Sequence, residues 1–250
     1  MDLLPASTPT QPVTLQSPWR WLALGWADLR RNPLPGLAHG VLLTAFGWLL
    51  LWAARDQFWL LAGAFSGFLI VAPILATGLY QVSRQQRAGL GEVVQLWRSG
   101  DGRLIRFGLL LGLAGTGWVL TSAGLITWGS PVPILKPMDF LRHVVLVRQI
   151  GLFEAWLLLG ALLAAPVFAS TVVALPMLVD RPVSVMAAVA ESWRAVANHP
   201  GPTALWAVVI ALLVVVGMVT ALLGLVVLIP LLAHASWHAY RDLTAHRMGR

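Results

Sequence analysis

The run Thr203–Trp237, TALWAVVIALLVVVGMVTALLGLVVLIPLLAHASW, carries no charged side chain, with His234 its single titratable group. A hydrocarbon core about 30 Å thick is crossed by roughly 20 apolar residues rising 1.5 Å each. The run is too long for one such helix, and it reads as two short spans joined by a tight turn near Thr220–Gly224. Outward from it, four more apolar segments of spanning length appear: Gly36–Ala54, Gln57 to about Tyr80, Leu104–Trp128 and Leu152–Val179. The expected fold is all-α, a polytopic membrane protein with six transmembrane helices.

Composition agrees. Of 250 residues 58% are hydrophobic and 11% charged, against about 25% charged in soluble domains. The mean hydropathy is +0.77. This much apolar surface excludes soluble, disordered and nucleic-acid-binding classes. The isoelectric point near 11.4 reflects scarce acids more than abundant bases. With no cysteine, disulfides, zinc–thiolate sites, iron–sulfur ligation and thiol nucleophiles are excluded.

Basic residues set the orientation. Thirteen precede the first span, lie between the second and third or the fourth and fifth, or follow the sixth; four (Arg55, Lys136, Arg142 and Arg148) lie on the other side. The positive-inside rule then places both termini in the cytoplasm. Tryptophans mark span ends: Trp48, Trp52, Trp59, Trp128 and Trp156 outside, Trp206 and Trp237 inside, with Trp118 within a span. No signal peptide is read, and residues 1–16 are expected to be a disordered tail.

The chain also echoes itself. Pro73–Arg84 aligns without gaps with Pro230–Arg241, matching Tyr80 with Trp237; Ala165-Pro166 echoes Ala72-Pro73; Asp28–Pro33 resembles Arg194–Pro200; and Trp97-Arg98 matches Trp193-Arg194. The reading is three parallel units, about 17–88, 89–180 and 181–243, in one domain spanning 17–243, with a tail at 244–250. Each unit holds a cytoplasmic amphipathic helix (about 17–32, 89–99 and 183–198) and a transmembrane hairpin. In the first helix Ser17 caps, Pro18 starts, and Trp19, Leu22, Trp26 and Leu29 form the apolar stripe. In the third, Asp180 caps, Pro182 starts, and Val189, Trp193 and Val196 form it. Asn32-Pro33 and Asn198-His199-Pro200 stop the helices, because the residue before proline leaves the α region.

The runs Leu175–Arg181, Asn198–Pro202 and Leu228-Ile-Pro-Leu-Leu-Ala-His-Ala-Ser-Trp-His-Ala-Tyr-Arg-Asp242 resemble a bacterial family of predicted integral membrane proteins, domain of unknown function 2189. The resemblance covers about residues 20–243. It implies a six-span inner-membrane protein without an established activity. Some relatives carry a cytochrome c oxidase subunit label, which implies a respiratory setting. Ala233 stands where the family pattern has glycine, a difference that bears on close packing more than on chemistry.

Ionisable groups inside a membrane point to function, and this chain places none of its carboxylates near a midplane, which disfavours ion-coupled transport. Glu154 sits at the outer mouth of the fourth span as a helix N-terminal charge. His234 and His238, four residues apart on one helix face, share a membrane level with His39, and His199 is near. Such imidazoles hold a divalent metal or haem, or serve as hydrogen-bonded structural groups; both readings stand. Pro73, Pro166, Pro176 and Pro230 free carbonyls for which Thr77, Ser170, Thr171 and Ser236 are donors. Gly63–Gly67 and Gly108–Gly112 fit small-residue packing, first within the chain and second against a partner. Trp19, Trp26, Trp97, Trp193, Arg84, Arg98, Arg194 and Arg241 are the expected lipid and interface residues. The outer loop 129–151 reads either as an amphipathic helix or as a docking surface. No phosphate-binding, dinucleotide or hydrolase motif appears.

The functional expectation is a non-catalytic protein contacting membrane lipids and other membrane subunits: an accessory or assembly subunit of a larger complex. The alternatives are a transporter or channel for a neutral or lipidic solute, with Thr44, Ser66, Thr116, Thr121 and Ser122 as midplane polar candidates, and a haem or metal protein built on His39, His234 and His238.

Overall fold

The computed structural model describes residues 12–56, 60, 63, 77–85, 91, 101–146 and 151–245. Among them every regular element is helical. Helix α1 is Ser17–Arg31, α2 Pro33–Ala53, α3 Thr77–Gln85, α4 Gly102–Gly129 and α5 Pro137–Phe140, which runs into a π-helical turn at Leu141–Val145. Then follow α6 Leu152–Thr171, α7 Ala174–Asp180, α8 Val185–Asn198, α9 Pro200–Val219 and α10 Leu225–Thr244. The expected second span and the expected helix at 89–99 lie largely outside the described residues.

Proline punctuates the chain as its chemistry dictates. Asn32, at φ −130° and ψ 70°, separates α1 from α2, and His199, at φ −132° and ψ 55°, separates α8 from α9. Each precedes a proline that opens the next helix, where a missing N–H costs nothing. The start of α8 differs from the expectation. Ser184, not Asp180, is the cap, its hydroxyl accepting from the Ala187 N–H at 3.2 Å; Asp180 instead closes α7, and the intervening Arg181 is extended. In α1 the cap position falls one residue earlier, at Gln16. The last part of the expected N-terminal tail is ordered: the Thr14 N–H donates to the Ser17 hydroxyl at 2.9 Å, and Val13 packs on the core.

Residues Thr220–Gly224 make the tight turn that divides the long apolar run. Ala221 and Leu222 both adopt positive φ, 53° and 67°, a conformation that costs non-glycine residues about 1–2 kcal/mol each. Helix α2 holds the turn: the Thr44 hydroxyl donates to the Leu222 carbonyl at 3.3 Å and the Trp48 indole to the Ala221 carbonyl at 3.0 Å.

Helix α10 lies at the centre, wrapped by α1 and α2. A Cβ at Gly25 would sit 2.6 Å from the Ala235 backbone nitrogen, and one at Gly40 would overlap the Val226 carbonyl. That carbonyl is four residues before Pro230, so it has lost its intrahelical donor; glycine lets α2 press directly against it. By contrast Gly112, expected to pack helices within the chain, has nothing within 4 Å among the described residues.

Four helical stretches are long and apolar enough to span a membrane: Pro33–Ala53, Gly102–Gly129, Leu152–Asp180 (α6 continued by α7) and Pro200–Val219. The described residues thus account for four of the six expected spans. Helix α10 is as long as α9 but carries His234, His238, Arg241 and Asp242. The large core, with Trp21, Tyr80, Trp206 and Trp237, gathers at the α1 end of the bundle. Trp206 and Trp237, expected at an interface, are therefore core residues, and Trp206 meets Trp21 edge to face at 5.6 Å. Towards the other end Leu109, Leu113, Leu158, Leu162, Leu212 and Val219 are exposed. Water would not tolerate this continuous apolar surface; lipid does.

Candidate functional site, a buried acid–base cluster

Two amphipathic helices frame the α1 end of the bundle; of their expected stripes Leu29 is buried and Leu22, Val189 and Val196 pack on the core, while the tryptophans face outward. In α1 the buried residues are Ser17, Pro18, Trp21, Gly25, Asp28 and Leu29; Trp19 and Trp26 point away from the protein, about half exposed. In α8 the buried residues are Ala188, Ser192 and Ala195, and Trp193 is half exposed while its indole donates to the Ser170 hydroxyl at 2.9 Å. Where lipid rather than water is the solvent, the large apolar side chains face outward and small or polar ones face neighbouring helices.

Asp28 is thereby delivered into the interior. Its Oδ2 accepts from the Ser83 hydroxyl of α3 at 2.9 Å and pairs with His238 Nε2 of α10 at 2.9 Å; Oδ1 lies 3.6 Å from the Arg31 guanidinium. Burial pushes the Asp28 carboxyl up, but the hydrogen bond and charge of His238, the Ser83 hydroxyl and the nearby His234 outweigh it. The group lies below its ordinary value.

Ser83 also contacts His234 Nδ1 at 2.7 Å. A carboxylate only accepts, so the serine proton goes to Asp28 and the His234 contact places hydrogen on Nδ1. His234 is fully buried, and its Nε2, on the side of Gly36, has no hydrogen-bond partner among the described residues. His39, also buried, donates from Nδ1 to the Pro35 carbonyl at 2.9 Å.

The structure therefore brings His234 and His238 to one acid, with His39 close enough to act electrostatically on His234. Three of the ring nitrogens are engaged by Pro35, Ser83 and Asp28. No group of three or more histidine, aspartate or glutamate side chains among the described residues is placed to hold a metal ion. Ser83 escaped sequence reasoning altogether. The signal that could have found Asp28 is its position seven residues after Trp21 and three after Gly25, on the face where α1 is smallest.

Two further acids extend the cluster. Asp242 of α10 accepts from Arg20 and from the Trp21 indole of α1, both at 2.6 Å. Asp180 of α7 accepts from the Tyr240 hydroxyl of α10 at 2.7 Å and pairs with Arg84 of α3 at 3.2 Å. Arg103, at the start of α4, donates to the Arg181 carbonyl at 2.8 Å and the Val183 carbonyl at 3.0 Å. Its guanidinium also holds Asp101 below the usual carboxylate value.

The expected interface residues thus divide. Trp19, Trp26, Trp193 and Arg241 are exposed, Arg84 joins Asp180, Arg194 pairs with Glu191 at 3.3 Å, and Trp97 and Arg98 lie outside the described residues. The polar candidates of the spans are also engaged: Thr44 as above, Thr116 with the Gly112 carbonyl, Thr121 with the Gly117 carbonyl, and Ser122 with the Trp156 indole at 2.6 Å. Ser66 lies outside the described residues. Glu154 accepts from the Gly151 N–H at 2.8 Å, an N-terminal cap of α6.

All-helical architecture, spanning-length helices and an apolar exterior define an integral membrane protein. Residues 60–180 match the model of the family described as predicted integral membrane protein (DUF2189). The resemblance read from the sequence is shown over that segment, while the motif at 228–242 lies beyond it. No curated protein and no solved structure matches the chain.

Proposed function

We propose that this is a non-catalytic protein of the bacterial inner membrane that acts by association, as an accessory or assembly subunit of a larger membrane complex. The observation that carries the reading is how the polar side chains are used. Asp28, Asp180 and Asp242 each tie α10 to another helix, and the hydroxyls of the spans bond within the chain. What the molecule offers outward is apolar: exposed leucines on α4 flanking Gly117 and Gly124, beside which nothing among the described residues lies within 4 Å. A helix face of that kind accepts another helix closely. The respiratory setting rests on the family resemblance alone.

In this reading the chain has six spans in three parallel units, with both termini cytoplasmic. The like geometry at Asn32 and His199 and the turn at Thr220–Gly224 support it, as does the gathering of Arg20, Arg31, Arg84, Arg103 and Arg181 at the α1 end. The experiment is quantitative mass spectrometry of the tagged protein, solubilised mildly from its native membrane. A partner recovered near one-to-one supports the subunit; recovery alone, as monomer or homo-oligomer, defeats it.

One observation favours a second reading, a haem or metal protein: the unpartnered Nε2 of His234 beside His39. A blank absorption spectrum and a blank metal analysis of the pure protein would retire it.

A further inference from the structure

Residues 130–146, which follow α4, fold back onto the ends of α4 and α6. Ile134 and Val144 are buried against Ile126, and Phe140, Phe153 and Trp156 close the cluster. Phe140 meets Trp156 edge to face at 5.4 Å. Ile126 is one turn before the end of α4 and Trp156 is in the second turn of α6. The segment therefore lies alongside the helix ends, not above them. Helix α4, with 28 residues, is about 42 Å long at 1.5 Å per residue, longer than the hydrocarbon core by about the depth of the headgroups. Its last turns, and the segment packed on them, fall at headgroup depth.

The other side of the same segment is apolar too. Leu135 is 66% exposed, Leu146 65%, Met138 50% and Leu141 40%, next to Trp128 at 88%. The polar side chains here form a narrow strip: Asp139, bonded back to the Leu135 and Lys136 N–H groups, with Arg142 and His143. A short helix with apolar residues on both sides and a polar strip between does not suit water; it suits an interface.

We propose that residues 130–146 form an interfacial element seated in the lipid headgroup region at the end of the bundle opposite α1. Leu135, Met138, Leu141 and Leu146 enter the bilayer, and Lys136 and Arg142 lie among lipid phosphates. Two observations select phospholipid as the occupant. The apolar face adjoins exposed Trp128, at the end of a helix of membrane-spanning length, and its flanking charges are cationic.

The cysteine-free chain makes the test direct. Single cysteines at positions 135, 138 and 146, all exposed and so neutral to folding, are labelled with bimane. The full chain is reconstituted in phosphatidylcholine–phosphatidylglycerol vesicles. Brominated acyl chains are expected to quench all three labels several-fold more than they quench free bimane in the aqueous phase, while aqueous iodide loses most of its effect. Quenching by iodide as for the free label, with no effect of brominated lipid, overturns the proposal in favour of a water-exposed loop. Protection from both quenchers overturns it in favour of a protein partner or a second copy.

Discussion

Replacing Gly40 by alanine adds one methyl group at the tightest point of the α2–α10 contact. The new Cβ would overlap the Val226 carbonyl oxygen and sit 2.6 Å from its carbon and 2.7 Å from its Cα. All three are backbone atoms, so no side-chain rotation relieves the clash, and the helices must part by roughly 1 Å. Overpacking of this kind costs about 1–3 kcal/mol. The same movement stretches the Thr44 and Trp48 hydrogen bonds to the Thr220–Gly224 turn, each worth about 0.6 kcal/mol in a membrane protein. The expected loss is about 2–4 kcal/mol, which at roughly 2–4 °C per kcal/mol for this chain length lowers the Tm by between about 4 and 16 °C. Thermal unfolding in a mild detergent, followed by tryptophan fluorescence, reads it. Gly117→Ala is the control: with nothing within 4 Å among the described residues it is expected to be neutral or slightly stabilising. Equal effects of the two substitutions would refute the close approach of α2 to the carbonyl freed by Pro230.

Asp28→Asn keeps the shape but removes the charge shared with His238 and Ser83, and is expected to cost about 2 kcal/mol in unfolding. Because the folded carboxyl lies below its ordinary value of 3.8, its stabilisation is complete above that pH and is lost as pH falls through the folded value. Wild type should therefore lose more stability than Asp28→Asn when taken from pH 5 into that acid range, and parallel curves would contradict the pairing. Arg103→Lys loses the fork that binds the Arg181 and Val183 carbonyls, about 1–2 kcal/mol. Limited proteolysis should then cut more readily between Asp180 and Ser184, and an unchanged digest would count against the clamp. Trp156→Phe deletes the 2.6 Å bond to Ser122 and should lower the Tm by a few degrees through about 1 kcal/mol; no change would mean that the α4–α6 contact rests on packing alone.

Signals that depend on backbone chemistry were legible in the sequence. Prolines 33 and 200 marked two helix junctions, and run length placed the turn between α9 and α10. The tryptophans expected at the lipid interface, Trp19, Trp26 and Trp193, do face outward, while Leu22, Leu29, Val189 and Val196 of the same stripes turn inward. What the stripe did not reveal is the small and polar part of the buried face, through Gly25 and Asp28 in α1 and Ser192 in α8. Glycine spacing alone did not separate Gly112, open to the exterior, from Gly40, pressed on a backbone carbonyl; what separates them is the proline on the facing helix. His234 and His238 were legible as a pair, but Ser83, which links His234 to Asp28, lies 151 residues away from it and no local pattern announces it.

The proposed association uses the outer face of α4, and photocrosslinking tests this most directly. A benzophenone amino acid at Leu113 or Leu120, both exposed, is irradiated in intact native membranes, with buried Leu111 as the reference position. The account predicts one discrete adduct with another membrane protein at 113 and 120 and none at 111. Lipid adducts alone at all three positions would contradict it.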